Sequence, residues 1–219
     1  MIESLVILPE FENYRDIGGQ GFGKGYRLPS LPVGTKLDIN SLMVVIIGDN
    51  GSGKSTLLEK ICIQLTPFPG IRNPLYFDIT YADDSRYRPL KFRPEEQVRD
   101  ETFFARPDLD NEYGHLSSGE YQKLELMKFL EVCRKAPSGA VAFIDEPELH
   151  FSLMRKRALA DTFATIANER GLQFIIATHE PSFLAIPHAR IIVLDNVPAG
   201  QYNAGEFNLE EYQSRVHSL

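Results

Sequence analysis

The chain has 219 residues and a formal net charge of −7 at pH 7. That length allows one well-buried α/β domain and is marginal for two. A hydrophobic content of 43% and a charged content of 24% are typical of globular domains and exclude a fibrous or disordered chain. The acidic balance repels a polyanion at long range, so binding to nucleic acid would require a local basic patch.

Neither a membrane segment nor cysteine chemistry is indicated by the sequence. The longest apolar runs reach about half of a membrane span, and residues 1–4 lack the basic start of a signal peptide. We therefore expect a cytoplasmic protein without direct membrane insertion. Cys62 and Cys133 lie in apolar helical patterns, which predicts buried thiols rather than a disulfide or a metal site.

The first forty residues alternate apolar and polar positions between glycines. This pattern predicts a few antiparallel strands joined by loops. The apolar segments are residues 5–8, 26–31 and 37–39.

The next segment combines an apolar run over 42–47, a glycine-rich stretch and a helical pattern from Leu57. Residues 48–56 read Gly-Asp-Asn-Gly-Ser-Gly-Lys-Ser-Thr and match the phosphate-loop pattern GxxxxGK[ST]. Such glycines let backbone N–H groups point inward, and the helix that follows directs its positive end at the same anion. The residues expected to bind nucleotide are Asn50, Gly51, Ser52, Gly53, Lys54, Ser55 and Thr56.

Within this loop, Lys54 is expected to neutralise the β and γ phosphates, and Ser55 is expected to offer its hydroxyl to Mg²⁺. The alternative is a glycine-rich turn between a strand and a helix that matches the pattern by accident. The order of strand, loop, Lys-Ser and helix favours the phosphate loop.

Residues 67–70 end this helix with two prolines and a glycine, and residues 75–81 predict a strand.

Residues 82–115 are polar, contain prolines and show no heptads, which excludes an inserted coiled-coil arm. Basic residues alternate with aromatic residues and prolines here, which is compatible with nucleic-acid binding or with a solvated loop paired to nearby acidic residues. We favour the loop. The basic residues are Arg86, Arg88, Lys91 and Arg93.

The remainder alternates strand and helix patterns. A helical pattern that follows Ser117 ends at Pro137, and an apolar strand over 140–144 leads to two carboxylates at 145–146. A second helical pattern stops at Gly171; residues 174–177 predict the next strand and residues 191–194 the last. This alternation predicts a parallel sheet with right-handed crossovers.

Three further segments resemble motifs of the ATP-binding-cassette (ABC) ATPases, in the order typical of them. Leu-Ser-Ser-Gly-Glu at 116–120 resembles the LSGGQ signature, Phe-Ile-Asp-Glu-Pro at 143–147 the second acidic motif, and Ala-Thr-His-Glu-Pro at 177–181 the switch histidine. The resemblance implies an α/β P-loop NTPase of ABC type, with a mostly parallel central sheet flanked by helices. It implies a single domain over 1–219, with an antiparallel β part over 1–41 and an accessory lobe that carries the signature over 82–137.

The acidic and histidine motifs have a chemical reason. A strand that ends in two carboxylates places Asp145 beside Mg²⁺, and Glu146 can then polarise the attacking water as general base. His179 can hold the γ-phosphate or that water in line. The expected catalytic residues are therefore Glu146, His179 and Lys54, and the expected metal ligands are Ser55 and Asp145.

The signature resemblance implies a homodimer. Ser117 and Gly119 would contact the nucleotide held by a second subunit, so that two ATP molecules lie between two head-to-tail copies. Each motif alone has a structural alternative. The two carboxylates would lie in a surface turn, His179 would be a structural histidine, and the serines would cap a helix. Four motifs in the expected order favour the ABC interpretation.

The resemblance extends to a narrower group. Asp-Glu-Pro-Glu-Leu-His at 145–150 is similar to stand-alone AAA-type ATPases related to RecF, SMC and the overcoming-lysogenization-defect nucleases. Segments 101–106, 113–116 and 174–181 are similar to small bacterial predicted ATPases without an assigned cellular role.

Single residues outside the main motifs resemble elements of the same proteins. Asn-Tyr-Arg at 13–15 resembles an SMC motif near the nucleotide, which implies that Arg15 contacts phosphate, and Tyr26 is a candidate for stacking on adenine. Two features depart from transporter subunits: no Q-loop glutamine follows the strand near Tyr81, since Gln97 is late, and Ser152 stands at the D-loop aspartate position.

The sequence thus predicts a soluble ATPase that converts ATP to ADP and phosphate with Mg²⁺, working as an ATP-dependent homodimer. One alternative is the ATP-binding subunit of a membrane transporter. Another is an ATPase of DNA maintenance or anti-phage defence with a separate effector. A non-enzymatic switch is disfavoured because the residues expected to perform catalysis are all present.

Overall fold

The computed structural model describes residues 1–11, 31–66, 75–82, 89–92, 117–149, 151–194, 200–203, 207–208 and 210. The elements in chain order are β1 (Ile2–Ile7), β2 (Lys36–Asp38), β3 (Met43–Ile47), α1 (Lys54–Leu65), β4 (Phe77–Tyr81), β5 (Leu90–Phe92), α2 (Ser118–Lys135), β6 (Val141–Asp145), α3 (Leu153–Arg170), β7 (Gln173–Ala177), β8 (Arg190–Val193) and β9 (Gly200–Asn203). Among the described residues, no helix has both the length and the apolar character required to cross a membrane.

The larger sheet has six strands in the order β5-β6-β7-β3-β8-β9. The first five run parallel, and β9 pairs with β8 in the antiparallel sense. Every residue of β3, β6 and β7 is buried, as expected for strands covered on both faces. This sheet confirms the predicted α/β fold class.

Side chains of successive residues in the central strand enter opposite cores. Val45 and Ile47 pack with the inward residues of α2 and α3. Val44 and Ile46 pack with α1 and with the three-stranded sheet. The sheet therefore lies between two layers, because neighbouring residues of a strand face opposite sides.

The smaller sheet has the order β2-β1-β4, with both pairings antiparallel. It contains the predicted strands 5–8, 37–39 and 75–81 with shifted bounds. Residues 26–30 of the predicted strand 26–31 lie outside the described residues, and Leu31 is buried.

Two predictions about strands are wrong. Residues 191–194 are not the last strand, because β9 follows; it has no apolar run of its own and pairs at the sheet edge. The basic segment from Arg86 to Arg93 is not loop throughout, because Leu90–Phe92 pairs with β6 as the parallel strand β5 and contains Lys91. A strand of three residues is too short to show a periodicity. Arg86, Arg88 and Arg93 lie outside the described residues.

The two cysteines are free and buried, on opposite faces of the larger sheet. Burial raises the pKa of the Cys133 thiol to about 12 against the opposing effect of Arg134. Cys133 is therefore a protonated core side chain at neutral pH.

Candidate functional site

The candidate site lies where β6, β7 and β3 end side by side. These neighbouring parallel strands lead at their carboxyl ends to the acidic residues at 145–146, to the loop at 178–180 and to the phosphate-loop sequence. The carboxyl edge of a parallel sheet is the usual ligand site of open α/β folds. The topology thus brings together three motifs that are far apart in sequence.

The segment 48–53 forms a turn that leads directly into α1. Gly51 and Gly53 have φ angles of 82° and 97°, a region that side chains other than glycine rarely adopt. Gly53 is the N-cap of α1 and provides no side-chain hydrogen bond, and no acidic residue lies in the first turn. The N-cap residue of α1 therefore offers no side chain to the first N–H groups of the helix, which fits an anion at this helix end.

Lys54 is buried at the start of α1. Its Nζ donates hydrogen bonds to the carbonyl oxygens of Gly48 at 2.8 Å and Asp49 at 3.0 Å. Among the described residues, the buried Oγ of Ser52 has no hydrogen-bond partner. Asn50 is exposed within this loop, and Thr56 lies half-buried in the first turn of α1.

The two expected metal ligands are in direct contact. The Ser55 Oγ donates a hydrogen bond to Asp145 Oδ1 at 3.1 Å, although ninety positions separate the two residues. Asp145 is 5% exposed at the end of β6. A hydroxyl and a carboxylate form the hard oxygen donor set that Mg²⁺ prefers, so these residues fit that ion.

Glu146 and His179 form the second contact of the site. His179 Nε2 lies 3.4 Å from Glu146 Oε1, and both side chains are partly exposed. Glu146 has a φ of 44°, which is uncommon outside glycine, and its N–H donates to the Ala177 carbonyl at 2.8 Å. The backbone conformation at Glu146 is therefore strained and fixed by the neighbouring strand.

Sequence reasoning assigned no role to Glu148, although it belongs to the acidic string. Glu148 Oε1 accepts hydrogen bonds from Thr178 Oγ1 at 2.6 Å and from the His179 N–H at 3.1 Å. Burial and the charge of Glu146 raise the pKa of Glu148, and hydrogen bonds from Thr178 and His179 oppose this without cancelling it. The only available signal was a carboxylate three residues after Asp145.

Glu180 joins the same edge to α3. Its Oε2 lies 3.1 Å from Lys156 Nζ, and its Oε1 accepts from the hydroxyl and the N–H of Ser182. Burial raises the pKa of Glu180, but the bonds from Ser182 and Lys156 outweigh burial, so that its pKa is lowered. Glu180 is therefore an ionised anchor between the loop after β7 and the start of α3.

Ser117 of the signature segment is the N-cap of α2, which was the structural alternative to a nucleotide contact. The Ser117 side chain accepts from the Glu120 N–H, and the Glu120 carboxylate accepts from the Ser117 N–H at 2.9 Å. This capping box satisfies donors at the start of α2. Ser117 is exposed and Gly119 is half-buried, so both lie at a helix start near the surface.

Several predicted residues lie outside the described residues. They are Arg15, Tyr26, Gln97, Leu116 and His150. The segments 101–106 and 113–115, which carry part of the narrower resemblance, are also outside.

No family model matches the chain. The ribosome protection protein VmlR of Bacillus subtilis (strain 168) is 28% identical over an alignment of 171 residues, which covers 73% of this chain and 30% of VmlR. The lipoprotein-releasing system ATP-binding protein LolD 1 of Chlorobium luteolum is 27% identical over 211 residues, covering 75% of this chain and 88% of that protein. The chain therefore spans less than a third of VmlR and most of LolD 1.

A solved structure extends this comparison to the fold. It is a dimeric ATP-binding cassette in a post-hydrolysis state bound to ADP and Pi, which matches with a TM-score of 0.52 and 16% identity over 80% of this chain and 91% of that one. This likeness extends to the fold alone. The chain has the ABC ATPase fold, and ATP hydrolysis is the activity that its relatives support.

Proposed function

We propose that the chain hydrolyses ATP to ADP and phosphate with Mg²⁺, as a homodimer that closes on ATP, and that it is a soluble ATPase rather than a transporter subunit. One observation carries the proposal. Two contacts, Ser55 to Asp145 at 3.1 Å and Glu146 to His179 at 3.4 Å, lie together at the end of the sheet beside the phosphate loop. This arrangement joins an oxygen-ligand pair to an acid–base pair.

The phosphate loop supplies positive charge for the nucleotide. Gly53, the N-cap of α1, offers no side chain to the first N–H groups of the helix, and Lys54 is held next to them by two carbonyl oxygens. We assign phosphate binding to residues 50–56, because these donors stabilise the negative charge on the transferred phosphoryl group. Arg15 is proposed as a further phosphate contact from its motif alone.

Mg²⁺ is assigned to Ser55 and Asp145. When bound, the ion would neutralise charge on the phosphate oxygens. The contact between the two ligands shows that the folded chain can bring both oxygens to one place.

Glu146 is assigned as the general base. Its carboxylate is 29% exposed, so a water molecule can reach it, and its Oε1 lies 3.4 Å from His179 Nε2. Glu146 would accept a proton as this water attacks the γ-phosphorus, and His179 would hold the water or the γ-phosphate in line. The ring of His179 is close enough to Glu146 for both to act on one water.

The homodimer is proposed from two surface features and from the dimeric relative. Ser117 and Gly119 are accessible at the start of α2, and Leu153 and Met154 at the start of α3 are 72% and 83% exposed. The ion pair of Lys156 with Glu180 places that start of α3 near the site. Exposed apolar residues at a site edge favour contact with a second protein surface.

The transporter alternative is supported by LolD 1, the ATP-binding protein of a lipoprotein-releasing system. The stand-alone reading is supported by the Glu-Leu-His tail of the acidic motif, which resembles the RecF and SMC group, and by VmlR, a ribosome protection protein. DNA maintenance or anti-phage defence would be uses of the same stand-alone ATPase. Cytoplasmic location is part of this proposal.

The proposed function is tested by trapping the ATP-bound dimer. Glu146→Gln removes the base but keeps the phosphate and metal contacts, so ATP should convert the protein from monomer to dimer, because binding to the closed state stabilises it. Light scattering measures the mass with ATP, with ADP and without nucleotide.

Ser117→Arg in the Glu146→Gln background should abolish the dimer while ATP binding persists. The added cation would crowd the docking position of the opposite γ-phosphate and oppose the helix dipole. Ser117→Ala is the control, because it removes only the cap, at about 1 kcal/mol of stability. A mass that does not respond to ATP, or a dimer insensitive to Ser117→Arg, would contradict the homodimer.

A further inference from the structure

Glu148 has no part in the reaction as assigned above, yet it lies inside the site. It is 5% exposed, whereas the side chain of Glu146 two residues earlier is 29% exposed. A carboxyl group removed from water requires hydrogen bonds. The bonds that Glu148 accepts from other residues both come from the loop after β7.

Thr178 connects Glu148 to the central strand β3 of the sheet. Its Oγ1 donates to Glu148 and accepts from the Glu180 N–H at 2.9 Å. Its own N–H donates to the Ile46 carbonyl at 3.1 Å, two residues before the phosphate loop begins. Thr178 is fully buried, so its hydroxyl has a fixed orientation.

Besides the contact between the Glu146 and His179 side chains, two connections join the loops that carry them among the described residues. The first is the bond from the Glu146 N–H to the Ala177 carbonyl. The second is the pair of bonds from Thr178 and His179 to Glu148. Without the second, the backbone of His179 itself would have no bond to the acidic loop among the described contacts.

We propose that Glu148 is a positioning residue: its buried carboxyl group clamps the backbone of Thr178 and His179 so that the His179 ring stays beside Glu146. This inference rests on the proposed function, because the ring position affects ATP hydrolysis. It adds to that function a residue that holds the switch histidine.

The chemistry of the clamp predicts which replacements are tolerated. Glu148 acts as a hydrogen-bond acceptor, and Oε2 has no partner among the described residues. The raised pKa favours the neutral carboxyl group, which avoids repulsion with Glu146. A neutral amide of the same shape keeps the acceptor, so glutamine should replace Glu148 and methionine should not.

The experiment compares the full-length chain with Glu148→Gln, Glu148→Met, Thr178→Val and Thr178→Ser. ATP hydrolysis gives kcat and KM, and NMR of ¹⁵N-labelled histidine rings without nucleotide reports on His179, assigned by its loss in His179→Gln. Glu148→Met and Thr178→Val should lower kcat about 10- to 100-fold, because misplaced catalytic groups cost that much. KM for ATP should stay within about threefold, because the phosphate loop is unchanged.

The same two variants should shift or broaden the His179 ring signals, while Glu148→Gln and Thr178→Ser should match wild type in both readouts. Thr178→Val replaces one hydroxyl group by a methyl group, so it still tests the clamp if Glu148→Met does not fold. Wild-type kcat and His179 signals in Glu148→Met and Thr178→Val would overturn the clamp. Equal damage by Glu148→Gln and Glu148→Met would also overturn it.

The two proposals can fail separately. If wild type hydrolyses no ATP and the His179 signals still respond to Glu148→Met, the proposed function fails and the clamp stands. If wild type hydrolyses ATP and neither readout responds, the clamp fails and the function stands.

Discussion

The nucleotide edge, where β3, β6 and β7 end, and the seam between the two sheets both contain buried polar side chains, but they use them differently. At the edge, Ser55, Asp145 and Glu146 converge on a partly exposed space. In the seam, which we define as Lys60, Gln64 and Gln173, each polar side chain hydrogen-bonds to backbone of the N-terminal or β4 segments. Polar side chains at the edge thus pair with one another, and those in the seam bond to the backbone.

The side-chain amides of Gln64 and Gln173 and the ammonium group of Lys60 bond to the backbone in the seam. The Gln173 side chain accepts from the Ile2 N–H and donates to the carbonyls of Ile2, Ile39 and Ser41, all within 3.0 Å. Gln64 accepts from two N–H groups at the start of β4. At the edge, Ser55 with Asp145 and Glu146 with His179 pair side chain to side chain, whereas Gln64 and Gln173 of the seam bond to backbone.

The sharpest test of the edge is Lys54→Ala. We expect ATP hydrolysis to fall about a thousandfold, because a preorganised charge on the transferred phosphoryl group is lost. The free energy of unfolding should change little, because two carbonyls that bind Lys54 regain access to water. Phosphate release and urea unfolding measure the two effects, with Lys128→Ala as control, since Lys128 is half-buried on α2 and pairs with Glu125. Equal phosphate release by wild type and Lys54→Ala would remove the phosphate loop from the mechanism.

The corresponding test of the seam is Gln173→Leu. It leaves one N–H and three carbonyls of the seam without their side-chain partner, so the free energy of unfolding should fall by about 3 kcal/mol. Gln201→Leu is the matched control: Gln201 also bonds to backbone, of Asp38 and Lys36, but at an exposed position, so its loss should cost less than about 1 kcal/mol. Equal costs in urea unfolding would show that burial does not distinguish the two glutamines.

The smallest expected effect concerns Lys60. Its Nζ donates to the Phe11 carbonyl and lies 3.8 Å from the centre of the Phe11 ring. Burial lowers the pKa of Lys60 from 10.5 to about 8, although Glu59 opposes this. Between these values the unfolded chain holds a proton that the folded chain has released, so stability increases with pH.

Lys60→Met removes this dependence. Relative to that variant, wild type should gain about 1 to 2 kcal/mol of unfolding free energy between pH 7.5 and 9.5. Urea unfolding at both pH values measures it, and the difference between the two proteins cancels the other titrating groups. Parallel pH profiles of the two proteins would show that Lys60 titrates normally.

Much of the edge could be predicted from sequence because its residues belong to short local patterns. The phosphate loop is one continuous segment, and strand 141–145 leads directly to its carboxylates. Asp145 and Glu146 could therefore be identified without knowing what lies beside them. The Thr178 and Glu148 contact could not, because it joins two loops thirty residues apart.

The strands show the same division. Strand β3 and residues 174–177 of β7, buried on both faces, are continuous apolar runs that the sequence displays. The short β5 and the edge strand β9 were missed, because pairing with a neighbour rather than composition makes them strands. Local pattern is weak evidence for elements whose stability comes from a partner.

By itself, the sequence determined the type of chemistry: a phosphate loop, two carboxylates after an apolar strand and a histidine after the next, because short motifs dictate their own backbone. Tertiary structure decided which of these groups meet. The order β6-β7-β3 places Ser55 against Asp145 and His179 against Glu146. It also decided that Gln173 would join the two sheets, since strand order and burial arise only when distant segments pack together.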